Sequence, residues 1–338
     1  MKRDIGALIS SRCDLKTQFR LKRVCKSLNR LININAWPQE YTRLTQNDFP
    51  WLEYMLYKYP DKPWDWDWLS HNPKITWDIV QNKLDKPLMW VDLSGNPNIT
   101  WDNVRTNPDQ PWNWHSLSQN PNVTWDIIQN NPDKPWDWDM LSSNPSITPN
   151  IVQNNPDKSW NWSELSCNDN ITWEFVQNNI DKPWDWAYLS GNPIITWEFV
   201  QNNPNKPWNW ERLSWNSNIT CKIVENNPDQ PWKWHRLAEN PNITWEFVQN
   251  NLDRLWDWYW LSQNPNITWD IVQNNLDQPW DWSGLSENPN ITWEIVENNI
   301  DQPWDWCGLS LNPKITWEIV HNNLDEPWQW DSLSSKSL

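Results

Sequence analysis

Residues 60–83 read PDKPWDWDWLSHNPKITWDIVQNK, and this stretch recurs in register to the end of the chain. The tryptophan of its Pro-Trp step, Trp64, returns at 112, 136, 160, 184, 208, 232, 256, 280, 304 and 328, with Leu88 in the slot at 88. Eleven successive 24-residue periods therefore pass without an insertion or deletion. A fixed period over such a span means one supersecondary unit, stacked so that each copy buries the face of the next.

Three slots never vary where the repeat reaches them: the second tryptophan (Trp66 to Trp330), the leucine three residues later (Leu69 to Leu333) and the asparagine of the Asn-Pro step (Asn72 to Asn312). The Ile-Thr-Trp step recurs as well, with Pro149 and Cys221 in place of its tryptophan. Two short helices fit each unit. The first is expected over 63–70, with Pro63 in its opening turn, where a missing N–H costs nothing. Asn72-Pro73 stops it, because the residue before a proline avoids the helical region. The second is expected to start from a Thr76 cap, with Asp78 in the first turn where the helix dipole favours an acid.

Helices this short are below the ~12–15 residues needed for marginal stability alone, so stacking must supply it. Tryptophan serves that purpose, burying ~150–250 Å² per side chain. The reading is an all-α solenoid of about twelve helix pairs over 61–338, preceded by a transition and capping unit over 36–60. Within that unit, 51–58 reads as a degenerate second helix. At ~8–10 Å per packed helix such a stack would be on the order of 100 Å long. The alternative is a leucine-rich-repeat-like horseshoe, whose period and asparagine turn are similar. Its strand would need an apolar residue two before the leucine, where Asp67, His115, Asp139, Ser163, Glu211 and His235 stand.

The chain carries 37 Trp and 28 Pro but only 5 Gly, which argues against hairpin arrays and their positive-φ turns. The formal net charge is −16, divided unevenly. Residues 1–44 hold ten Lys/Arg against three Asp/Glu, and the remainder 17 against 40. An acidic array repels phosphate backbones, so nucleic acid is not an expected partner. No apolar run is long enough for a membrane span, and Met1 to Gly6 lead into no secretory leader. Cys167, Cys221 and Cys307 occupy three different registers, as free thiols would and a disulfide or metal ladder would not. Asn-x-Thr recurs at Asn98, Asn122, Asn170, Asn218, Asn242, Asn266 and Asn290. Glycans at that step would crowd successive units, so a cytoplasmic location is expected.

Residues 4–32 read DIGALISSRCDLKTQFRLKRVCKSLNRLI. Ile5, Leu8 and Ile9 form one apolar stripe. Leu21, Val24, Cys25, Leu28, Leu31 and Ile32 form another at helical spacing, in a second helix that Asp14 can cap. One reading is a helical hairpin over 1–35 that caps the open end of the array. The run from Asp14 through Leu28 to Ile32 also resembles the second half of an F-box. F-box heads joined to repeat arrays are typical of giant DNA viruses, and the Asn/Ile/Trp-rich style of this chain is similar. The resemblance implies that Ile5, Leu8, Ile9, Leu15, Leu21, Val24 and Leu28 dock a Skp1-like adaptor of a cullin-type ubiquitin ligase. It implies further that the array selects a target, in the host cytoplasm if the chain is viral.

No catalytic set can be assembled. The only histidines are His71, His115, His235 and His321, no Ser/His/Asp or Cys/His group forms, and no glycine-rich phosphate loop occurs. Asp-Trp-Asp-Trp lacks the dense oxygen ligands of a calcium loop. We expect no enzyme activity, metal or cofactor.

The informative slots are those that change on a fixed scaffold, namely the two residues after the second tryptophan and the one after Leu-Ser. They mark a candidate partner-binding stripe anchored by Trp68, Tyr188, Arg212, Trp215, Arg236, Tyr259 and Trp260, residue types that dominate interface hot spots. A protein–protein interaction protein is the first expectation. A plain scaffold with no ligase link and a carbohydrate- or small-ligand-binding tryptophan ladder are the alternatives.

Overall fold

The computed structural model describes residues 51–336, except 83 and 84. Within them the chain forms 24 short α-helices and no strand. They run from α1 (Trp51–Lys58), α2 (Trp66–His71) and α3 (Trp77–Asn82) to α23 (Trp317–Asn322) and α24 (Trp330–Ser334). This is the all-α repeat solenoid that the period implies. The horseshoe falls with the absence of strands among the described residues.

The first helix of each unit begins later than its proline suggests. Asp65 is the cap of α2, its extended backbone placing the carboxylate to accept from the N–H groups of Asp67 and Trp68. Pro63 lies outside, in a turn closed by the Trp64 N–H on the Lys62 carbonyl at 2.8 Å. A side-chain cap that satisfies two orphan donors outweighs proline's preference for the first turn. Threonine caps the second helix as expected; Thr100, Thr172, Thr220 and Thr268 each accept from the N–H three residues on. Pro149 replaces tryptophan without cost because it falls at the first helical position.

The core lies between the two helices of each unit and runs on into the next. Leu69, Ile75 and Val80 are fully buried, as are nearly all their counterparts. The Pro-Trp tryptophan is the bolt between units. Trp160 donates its indole N–H to Asn155 O at 2.8 Å, meets Trp138 edge-on (5.3 Å, 84°) and tilts against Trp125 (5.9 Å). Two ladders of polar groups join units at the opposite edge. Asn144 accepts from Ser146 N through Oδ1 and donates through Nδ2 to Ser118 O (2.7 Å) and Asn120 O (3.1 Å) of the preceding unit. Ser118 donates to Trp114 O and accepts from Asp137 N of the following unit at 2.9 Å.

The ladders do not stop at the ends of the array. Asn72 Nδ2 donates to Ser334 O and Lys336 O, both at 2.8 Å, and Asp65 N donates to Ser334 Oγ at 3.0 Å. Trp64 stands edge-on to Trp330 at 5.1 Å, as each such tryptophan does to its predecessor. The chain is closed on itself, α24 packing on α2 and α23 on α1. The twelfth unit is composite: α24 from the C-terminal side supplies its first helix and α1 from the N-terminal side its second. Twelve first helices and twelve second helices thus complete a ring.

The expected open, elongated body is thereby corrected. A small rotation per unit, accumulated over twelve units, brings the two ends into the register of every internal junction. Successive first helices pack side by side at most junctions, including α24 on α2, while successive second helices stand further apart. In a closed ring, neighbour spacing scales with radius, so the first helices form the inner wall.

Candidate functional site at the inner wall

The core side of each first helix is taken by Leu69, Ser70 and their counterparts, so positions 67, 68 and 71 form the side turned to the channel. At ~8–10 Å between packed helices, twelve of them enclose an opening of roughly 20 Å between side chains. The candidate stripe therefore lines a channel instead of running along a rod.

Six of its seven anchors come together on four consecutive first helices, those beginning at Trp186, Trp210, Trp234 and Trp258. Arg212 lies over the Tyr188 ring at 4.6 Å. Trp215 covers Gly191, whose missing Cβ would stand 3.4 Å from the indole. Arg236 bridges Glu211 (3.3 Å) and Glu239 (2.6 Å), and its hydrogen bond holds the Glu211 carboxyl below its usual range. Tyr259 meets Trp260 edge-on at 5.0 Å and donates to Glu287 at 3.0 Å. Burial, then that acceptor, push the phenol up to about 12. Trp215 (40% exposed) and Trp260 (37%) present open indole surface, and Trp68 (54%) more still. Trp68 stands apart from the other six. Four to six units away round the ring, it faces them across the channel beside His71, which reaches Asp92 at 3.1 Å.

Two stripe positions do something the sequence did not indicate. A Cβ on Gly284 would strike the Tyr259 carbonyl, and one on Gly308 would lie 2.9 Å from Ser286 Cβ. In these units the variable slot is a packing contact that lets first helices approach most closely. Scarce glycine was the available signal: two of the chain's five fall in this slot.

The wall-lining histidines are each paired with a carboxylate. His115 reaches Asp137 at 2.7 Å. Burial alone would raise that carboxyl, but the His115 hydrogen bond and the N–H groups of Met140 and Asp139 outweigh it and lower it. His235 lies 3.7 Å from Glu211. The Cys167 thiol is pushed up to about 11 by desolvation and then by Glu164, leaving a poor nucleophile. Among the described residues no group of His, Cys, Asp and Glu could hold a metal ion, and no helix is long and apolar enough to cross a membrane. The head, with Ile5, Leu8, Ile9, Leu15, Leu21, Val24 and Leu28, lies outside the described residues. No protein-family model, curated protein or solved structure matches the chain.

Proposed function

We propose that this protein is a non-enzymatic interaction ring that receives a protein partner on its inner wall. The observation that carries this reading is the cluster of exposed Tyr188, Trp215 and Trp260 with half-exposed Arg212, Arg236 and Tyr259 on four adjacent first helices, where the fold itself needs only the buried leucine and the small residue after it. Large aromatics and arginine give the most binding energy per residue at interfaces, and a concave wall lets several engage one partner. The invariant tryptophans support the scaffold and not a ligand cage, since they are spent on one another. That disfavours the carbohydrate-ladder alternative.

The F-box resemblance of the N-terminal segment extends the proposal to a substrate receptor: the head docks a Skp1-like adaptor and the ring holds the target. Pull-down with purified Skp1-like adaptor tests the first half, and Leu21→Ala with Val24→Ala should abolish capture while leaving the ring's thermal midpoint unchanged. Replacing Tyr259→Ser and Trp260→Gly, then measuring partner binding and the thermal midpoint together, tests the second. A folded variant that binds its partner normally would place the partner elsewhere.

A further inference from the structure

The channel has two unlike sides. The four first helices with Tyr188, Trp215, Tyr259 and Trp260 carry Arg212 and Arg236 against Glu211 and Glu239 at the wall positions, so that arc is aromatic and neutral. Six further first helices, beginning at Trp330, Trp66, Trp90, Trp114, Trp138 and Trp162, present Asp331, Asp67, Asp92, Asp139 and Glu164, with no Lys or Arg at those positions; the first three acids lie opposite the aromatic arc, with Trp68 among them, and Asp139 and Glu164 lie beside it. Of these, Asp67, Asp139 and Asp331 are exposed. An aromatic surface and a carboxylate-bearing surface on one wall roughly 20 Å across call for an occupant with complementary halves.

Building on the reading of the inner wall as a binding site, we infer that its partner is a basic amphipathic helix from a separate protein. The helix lies with its apolar stripe on the aromatic arc and its lysines and arginines directed at the acidic arc. A helix is ~10–12 Å across with its side chains, so it fits the opening with room for long basic side chains to extend towards the far wall. Helices recognised in grooves are read through anchors at i, i+3, i+4 and i+7, which suits aromatic contacts from consecutive units. Carboxylates without lysine or arginine beside them supply charge selection and a salt-dependent approach.

The test uses the full chain and three labelled synthetic peptides of 18 residues. One carries leucine on one helical face and lysine on the other, the second is the same composition scrambled, and the third replaces lysine by glutamate. The amphipathic basic peptide should bind at least about tenfold more tightly than either control by fluorescence anisotropy. Two variants of the protein dissect the arcs. Trp215→Ser with Trp260→Ser should weaken binding at least about tenfold at any salt concentration, as loss of hot-spot aromatics does. Asp67→Asn, Asp139→Asn and Glu164→Gln together should weaken it and flatten its salt dependence. Equal binding of the scrambled peptide, or unchanged binding by both variants while their thermal midpoints hold, overturns the inference. Binding only after Lys22→Glu, Arg23→Glu and Lys26→Glu would mean that the chain's own N-terminal segment occupies the channel, which also overturns it. If no peptide binds but Tyr259→Ser with Trp260→Gly still abolishes capture of the native partner, the partner class is wrong and the binding wall stands.

Discussion

Eleven junctions of the ring join units that are neighbours in sequence; the twelfth unit is divided between the two ends of the described chain. Both kinds use the same bonds. Asn144 reaches back to Ser118 O and Asn120 O, and Asn72 reaches Ser334 O and Lys336 O in the same register. The difference lies in the residues that had to be altered. At the ladder position where eleven units have asparagine, the last has Lys336, whose buried Nζ donates to Ser310 O (2.9 Å) and Asn312 O (2.7 Å). Tyr59 stands where other units have the asparagine that takes the indole N–H, and its hydroxyl is 3.0 Å from His321 Nδ1. His321 is further packed between Trp51 and Tyr54. An internal junction is held by the chain as well as by hydrogen bonds and packing, whereas the seam has the hydrogen bonds and packing without the covalent link and draws on extra aromatic rings.

That contrast can be broken most forcefully by removing α24. Deleting 326–338 strips α2 of its partner and leaves α1 only its contact with α23, and the ring should open. Small-angle scattering should show a larger radius of gyration, and the thermal midpoint should fall by several degrees. An unchanged radius would refute closure.

Smaller substitutions compare the two regions directly. Trp330→Ala and Trp138→Ala each remove a packed indole and should cost roughly 3 kcal/mol or more. Only Trp330→Ala should speed amide exchange in α1 and α2, because it acts at the seam. Equal exchange profiles would mean the seam is no weaker than the rest. On the polar ladder, Asn144→Ala takes the side-chain partner from the Ser118 carbonyl and the Ser146 N–H, while the Asn120 carbonyl keeps the Val123 N–H, and should cost about 2 kcal/mol by denaturant titration.

The seam should also respond to pH. Burial pulls the Lys336 amine from 10.5 down to about 7, so between those values the unfolded chain holds a proton that the ring does not. Stability should therefore rise as pH climbs through that window. His321 is lowered from 6.5, chiefly by burial and then by Lys58, with Glu318 opposing. Its contribution is present above 6.5 and lost on acidification. Lys336→Asn restores the ladder residue and should stabilise the ring at pH 7 by about 1 kcal/mol while removing the upper window. Thermal midpoints of both forms at pH 7 and 9.5 decide this. The smallest effect belongs to Asp139→Ala, an exposed wall position whose loss should stay within about 0.5 kcal/mol.

Much of this protein is legible from one unit. The 24-residue period, the paired helices, the threonine caps and the buried leucine follow from residues acting on near neighbours, where spacing and capping chemistry decide. The first helix starts after Asp65 and not at Pro63, since both residues suit a helix start in sequence and only the observed hydrogen bonds choose between them. The candidate anchors were visible as variable slots, but not their gathering into one arc, nor Trp68 opposite, nor the packing role of Gly284 and Gly308. Those depend on curvature. Stacked tryptophans such as Trp125 and Trp160 lie between second helices and spread the outer row, while Ser118 and Asn144 draw the inner row together. The sense of the bend therefore lies in the composition of each unit. Its size, about 30° per unit for twelve units to close, emerges from how whole helices settle against one another. A few degrees more or less would give an open helix of the same sequence pattern, so closure, the channel and the facing of its two arcs belong to the tertiary structure alone.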